Sequence, residues 1–257
     1  KSISAAAIAD EFISQGRRVI LVAAASLQNN FRDNIYKFYE NTTSMSRSAI
    51  DALIAKNYAF VSANASNMLA QLKNASLPTE LQEVLDADPD VDVKPPDQKT
   101  RAKYMETINL EGSLVIVDEA HHLFNGIVSS SQNARGMYDI IMRTKDVKLL
   151  FLTSSVITNT PFEVVPCFNM IAGYELLPEL YQDFMDTFVQ KPKRNANAPT
   201  KEPKQAAKLK NLDHFKARIY GMISYFGSWF QSGGVMNIHS SVVRENMPTR
   251  LPIKEVY

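Results

Sequence analysis

The sequence predicts an α/β fold, a parallel doubly wound sheet with helices on both faces. Three observations lead there. Short apolar runs recur at Arg17–Ala23, Tyr58–Ser62, Leu114–Val117 and Lys148–Thr153, each of a length suited to a buried strand. Segments with helical spacing separate them, and strand-helix alternation is the pattern of right-handed parallel crossovers. The third run, Leu114-Val115-Ile116-Val117, then stops abruptly at Asp118 and Glu119. In a parallel sheet that point is the C-terminal end of a strand, where such folds place their ligand chemistry.

Each element has a local reason. Ile3, Ala7, Ile8 and Phe12 recur at helical spacing, so a helix is under way from the first residues, and Gly16 stops it. After the first strand, Ala24-Ala25-Ser26 reads as its loop, with Ser26 as the cap of a helix from Leu27 to about Tyr39. A further helix covers Ile50 to Ile54. Asn64-Ala65-Ser66-Asn67 follows the second strand, as a loop at the ligand edge of the sheet or as a helix cap. Ala134 to Arg143 carries Met137, Tyr138, Ile140 and Ile141 on one helical face. Pro161 suits a first helical turn, with the helix running from Phe162 to Ile171. Asp213 to Tyr225 is another helix, through Phe215, Ile219, Met222 and Ile223, and the tail from Met236 to Tyr257 reads as extended.

Two stretches break the pattern. Residues 78–99 crowd acidic side chains with Pro89, Pro95 and Pro96. They read as a solvated insertion carrying one short helix, or as a mimic of nucleic acid or a partner contact. Residues 191–210 interleave Lys191, Lys193, Arg194, Lys201, Lys204, Lys208 and Lys210 with three prolines. That is a flexible basic loop, either touching phosphates or simply solvated. The predicted organisation is a lobe over 1–190, the basic loop over 191–210, and a helix with an extended tail over 211–257.

The 257 residues are 45% hydrophobic and 21% charged with net charge +1, an ordinary globular composition that leaves nucleic-acid binding to local patches. The single cysteine, Cys167, excludes an internal disulfide framework and a zinc cluster, and a reducing, intracellular compartment is the simpler expectation. No apolar run approaches the roughly 18 residues of a membrane span, nor does the opening read as a secretory leader.

The acidic pair carries the chemistry. Adjacent carboxylates at a strand end are costly unless a cation or proton offsets them. A nucleotide-bound Mg²⁺ does so, with Asp118 near the metal and Glu119 placed to polarise a water. This is a Walker B pattern in its Asp-Glu-Ala-His form. The bland alternative is an acidic pair capping the next helix. Lys1-Ser2, opening a helix, matches the end of a phosphate loop, G-x-x-x-x-G-K-[ST], which would place the start of this chain inside that loop.

Taken in order, the motifs resemble those of a superfamily-two helicase or translocase. Lys1-Ser2 looks like the end of motif I, and Val22-Ala23-Ala24-Ala25-Ser26-Leu27 with Phe31 like motif Ia. Asp118-Glu119-Ala120-His121 is similar to motif II, a DEAH box, and Leu152-Thr153-Ser154-Ser155 to motif III. Asn159-Thr160-Pro161-Phe162-Glu163-Val164-Val165-Pro166 with Asn169 resembles the Swi/Snf-like branch of large nucleocytoplasmic DNA viruses, that of poxvirus early-transcription and termination ATPases. Asn64-Ala65-Ser66-Asn67 and Ile223-Ser224-Tyr225-Phe226 add to it.

The resemblance implies a first RecA-like lobe of a P-loop NTPase, with ATP and Mg²⁺ as cofactors. Lys1 would neutralise the β- and γ-phosphates. Ser2 and Asp118 would hold Mg²⁺, and Glu119 would orient or deprotonate the attacking water. His121 would couple that site to motif III, its bland alternative being a satisfied histidine at a helix start; His122 is structural. Thr153 and Ser154 would relay nucleotide state. Ser26, Asn64 and Asn67 would reach the nucleic-acid backbone. The implied partners are nucleic acid, DNA before RNA, and viral RNA polymerase or transcription factor subunits, in the virion and host cytoplasm, with no membrane.

Motif III departs from the family's Thr-Gly/Ala-Thr-Pro, running Thr153-Ser154-Ser155-Val156 without the proline. Nothing resembles motifs IV to VI, so the arginine fingers of a second lobe are missing and the chain alone is expected to be catalytically incompetent. The altered motif III also suits a second reading, a scaffolding subunit of a transcription or packaging assembly with a relic nucleotide site. A small-molecule kinase is disfavoured by the Asn-x-Pro-Phe-Glu segment and by motif Ia.

Overall fold

Val19, Ile20, Leu21 and Val22 are at most 1% exposed, because their strand is covered on both faces. The computed structural model describes residues 1–77, 108–190 and 208–224. Its main sheet contains β1 (Arg18–Ala23), β2 (Tyr58–Ser62), β3 (Ser113–Asp118) and β4 (Lys148–Leu152). The spatial order is β2-β1-β3-β4 and every pairing is parallel. The chain thus winds outward from β1 on one side and from β3 on the other. The crevice between β1 and β3, at their C-terminal ends, is the topological switch point.

The period of two along each strand sorts side chains between two cores. Val19, Leu21, Ala23, Leu114 and Ile116 face α1 (Ser2–Ser14), α2 (Ala25–Thr42) and α3 (Arg47–Asn57). Ile20, Val22, Val115 and Val117 face α4 (Met68–Ala75), α5 (His121–Val128), α6 (Gln132–Arg143) and α7 (Val164–Ala172). A third cluster joins α7 to α8 (Tyr181–Phe188), to an antiparallel pair β5 (Val189–Gln190) and β6 (Lys208–Leu209), and to α9 (Leu212–Ile219). Phe215 packs its ring 5.5 Å from Phe188 and 6.3 Å from Phe168.

Several expectations need correction. α1 forms where predicted and ends at Ser14, with Gly16 just beyond it at φ of +75°, but it buries Ala5, Ala6 and Ala9, leaving Ile3 50% and Ile8 40% exposed. Small residues let the helix approach the sheet closely, which the larger isoleucines would prevent. Ser26 is no helix cap: α2 starts at Ala25 with Ala24 as its N-cap. A serine does cap α3, where Ser46 accepts from the Ala49 amide at 3.3 Å. Pro161–Glu163 forms a 3₁₀ turn ahead of α7, so that α-helix begins at Val164 and not at Phe162. α9 ends at Ile219, short of the expected Tyr225. α5 forms where the sequence offers a helix start at His121, whereas no sequence pattern marks α8 or the β5–β6 pair. The acidic stretch 78–99, residues 191–207 of the basic stretch and the tail 236–257 lie outside the described residues. Residues 1–222 form one compact unit and 223–257 a second, of which 225–257 are not described. Among the described residues no helix is long and apolar enough to cross a membrane.

α5 and α6 meet at glycine. A Cβ on Gly126 would lie 2.9 Å from Cβ of Ala134, which cannot swing away. A Cβ on Gly136 would meet Cδ1 of Leu69 at 2.7 Å, the mobile end of a side chain. Gly126→Ala is therefore expected to destabilise the fold, since overpacking of about 1–3 kcal/mol exceeds the gain of about 1 kcal/mol in helix propensity. Gly136→Ala is expected to be near neutral. Urea midpoints of the two variants check this, and equal losses would contradict it.

Candidate functional site

β3 delivers Asp118 to the switch point, and the chain then turns sharply. Glu119 adopts φ of +48°, a left-handed conformation that few residues other than glycine occupy. The turn is held from two sides. The Glu119 amide donates to Asp118 Oδ1 at 3.0 Å, and the Ala120 amide donates to the Leu152 carbonyl at 3.0 Å. β4 therefore braces the acidic turn, and α5 starts immediately after it.

Two side chains converge on Glu119. Lys1 Nζ lies 2.9 Å from its Oε1, and His121 Nδ1 lies 3.3 Å from its Oε2. The same Nδ1 lies 3.0 Å from Thr153 Oγ1. Thr153 Oγ1 in turn donates to the Ser155 carbonyl at 2.7 Å. With the one hydroxyl proton used there, the contact to His121 needs a proton on Nδ1, which also suits the carboxylate of Glu119. The network thus places a proton on Nδ1. The Lys1 and Glu119 side chains are 45% and 32% exposed. Such a pair is worth at most about 1 kcal/mol, so its partners are easily exchanged.

Lys1, Glu119, His121 and Thr153 are therefore in one connected set, with Asp118 at its root. Ser2 follows Lys1 as the first residue of α1. Ser154 is exposed in the loop beyond β4. Asn64 and Ser66 line a cavity of about 540 Å³ together with Asp118, Glu119, Val22 and Met137. Asn67 is exposed, and its Oδ1 accepts from Gln71 Nε2 at 2.8 Å. Ser26 is exposed in the first turn of α2. Cys167 is buried, and burial pushes its thiol up to about 12, which leaves it an inert packing residue.

Sequence reasoning missed the polar residues that shape these loops. Glu163 has no exposed surface, yet its carboxylate is filled with donors. Oε2 accepts from the amide and hydroxyl of Thr158 at 2.6 and 2.9 Å. Oε1 accepts from the amides of Asn159 and Thr160 at 3.0 and 3.1 Å and from Asn125 Nδ2 at 3.2 Å. The spacing Thr160-x-x-Glu163 is a capping-box signal and could have flagged it. Asn133 Nδ2 donates to the carbonyls of Ala65 and Ser66 at 3.1 and 3.3 Å, and Gln71 Oε1 accepts from the Ser62 amide at 2.8 Å. No local pattern marks either of these.

No family model matches the chain. It is 33% identical over 241 residues to the termination factor NPH-I homologs of African swine fever virus, in isolates from a South African tick, a Namibian warthog and a Kenyan pig. The match takes in 91% of this chain and 26% of each relative. The chain thus spans about a quarter of the length of the curated relatives it matches. The parallel four-stranded sheet flanked by helices is consistent with a RecA-like lobe.

Burial works to raise the Glu163 carboxyl, and the donors from Thr158, Thr160 and Asn125 outweigh it, holding the group below the ordinary carboxylate range. A folded value below the unfolded one gives stability that is complete above the unfolded value and is lost as pH falls through the folded value. Glu163→Gln is expected to cost about 1–3 kcal/mol at neutral pH. The gap from wild type should narrow as pH falls below the ordinary carboxylate value of about 4.3, and close only at the lower pH where the native carboxyl also takes up its proton. Thermal unfolding of both proteins across pH checks this; a gap independent of pH would contradict it.

Proposed function

We propose that residues 1–190 are the ATP-binding first lobe of a viral helicase-like ATPase, which couples ATP hydrolysis to movement along nucleic acid during transcription. The observation that carries this reading is the set of Lys1, Glu119, His121 and Thr153 joined by contacts of 2.9–3.3 Å at the switch point, rooted on Asp118. The likeness to viral termination factors supports the biological setting.

Mg²⁺ carried with ATP keeps waters and takes one or two protein oxygens beside the phosphates. Asp118 and the Ser2 hydroxyl are the oxygens available. The cation supplies charge neutralisation at the β- and γ-phosphates.

The remaining work falls to the side chains. Lys1 leaves its exposed pair with Glu119 for the phosphates, at little cost. The freed Glu119 carboxylate orients the attacking water and takes its proton. His121 keeps Nδ1–H between Glu119 and Thr153, so a change at the carboxylate reaches the loop through Thr153 and Ser154. Ser26 in the first turn of α2, with Asn64 and Asn67 ahead of α4, offers hydroxyl and amide groups to a nucleic-acid backbone. In this reading the track is DNA before RNA, the partners are viral polymerase or transcription-factor subunits, and the protein works in the virion and host cytoplasm.

The test is nucleotide binding, followed by a fluorescent ATP analogue. The chain is expected to bind it in a Mg²⁺-dependent manner, with Lys1→Ala and Asp118→Asn weakening affinity by at least about tenfold. A chain with no affinity for Mg²⁺-ATP would instead be the scaffolding subunit that the departure at Ser155-Val156 suits. In the full-length protein, Glu119→Gln is expected to leave binding intact and to slow nucleic-acid-stimulated phosphate release by about 10²–10⁴-fold. Undiminished turnover would remove Glu119 from its role.

A further inference from the structure

α5 carries His121 and Asn125 four residues apart, so both project from one face, a single turn from each other. They reach opposite ends of the same exposed loop. His121 Nδ1 meets Thr153 at 3.0 Å where the loop leaves β4. Asn125 Nδ2 meets Glu163 Oε1 at 3.2 Å where the loop enters the 3₁₀ turn. Between them Ser154 and Ser155 are exposed, and Ile157 presents a 44% exposed apolar side chain. The other donors to the Glu163 carboxylate belong to Thr158, Asn159 and Thr160, that is, to the loop itself. Glu163 therefore gathers the far end of the loop into one unit, and Asn125 ties that unit to α5. The helix is braced against β4 as well, where the Phe124 ring meets Phe151 edge-on at 5.1 Å.

We propose that Asn125 is a positioning residue, whose bond to the buried Glu163 makes the loop 153–160 move with α5 and so display at Ile157 the state of the Glu119–His121 turn. The two ties differ in what they transmit. The His121 contact reports on the carboxylate directly. The Asn125 contact carries the displacement of the helix as a body, and a loop held at one end only would swing about Thr153. This inference rests on the nucleotide reading of the Lys1–Asp118 site.

Hydrogen exchange of the 257-residue chain, with and without a non-hydrolysable ATP analogue and Mg²⁺, tests it. In wild type, analogue binding is expected to change exchange in 153–160 by about fivefold or more, together with a change in 118–124. Asn125→Leu removes the donor at similar volume. It should keep nucleotide affinity and the response of 118–124, lower the melting temperature only modestly because four donors to Glu163 remain, and lose the response of 153–160. Asn125→Ser makes the same comparison with a smaller side chain. A full loop response in both variants overturns the proposal, as does a wild-type loop that ignores bound nucleotide. So does loss of the loop response only in company with a collapse of melting temperature in both variants, which would make Asn125 merely structural. Failure of wild type to bind the analogue overturns the site reading itself, and this inference with it.

Discussion

Parallel hydrogen bonding is the constraint from which the rest follows. Because β1, β2, β3 and β4 all run the same way, every strand of the sheet must hand its chain over at the same edge. Ala24, Ala63, Glu119 and Thr153 are the first residues beyond those four strands, and they fall on one rim with no further instruction. Cross-links between neighbouring exits then set the rim's shape. The Ala63 amide donates to the Ala23 carbonyl at 2.9 Å, and the Ala120 amide to Leu152 at 3.0 Å. Residues separated by dozens of positions in the chain thereby become neighbours in space.

The parts of this arrangement governed by short-range patterning were legible in the sequence. The four strands could be read because burial on both faces demands unbroken runs such as Val19-Ile20-Leu21-Val22, and the acidic pair stood out because such a run has to stop for it. The helices were read less well where size rather than polarity decides which face is buried. In α1 the isoleucines look like the anchor, yet Ala5, Ala6 and Ala9 are the residues that meet the sheet. α5 is only eight residues long, with His121, His122 and Asn125 interrupting its apolar face, too short and too polar to register as a period. The β5–β6 pair joins positions brought together across the basic stretch, which no local window can see.

The candidate site divides in the same way. Asp118, Glu119, His121 and Thr153 could be named from motifs, and they meet as a set. The residues that hold the loops in shape could not, because an Asn or Gln that serves a backbone 60 or more positions away, as Asn133 serves Ala65 and Ser66, looks like any other surface amide. Glu163 shows the limit well. Its local partners follow from a four-residue cap, while its link to Asn125, 38 positions earlier, exists only once the chain has wound back over the sheet.

The left-handed backbone at Glu119 has a consequence for anyone altering this protein. Asn and Gly sit in that conformation more readily than Glu, by about 1–2 kcal/mol in the case of Gly. A search for thermostable variants that scored only survival on heating would thus be drawn to position 119, and would reward loss of the acid there. The carboxylate that Lys1 and His121 share is thus the group on the rim that folding alone would discard.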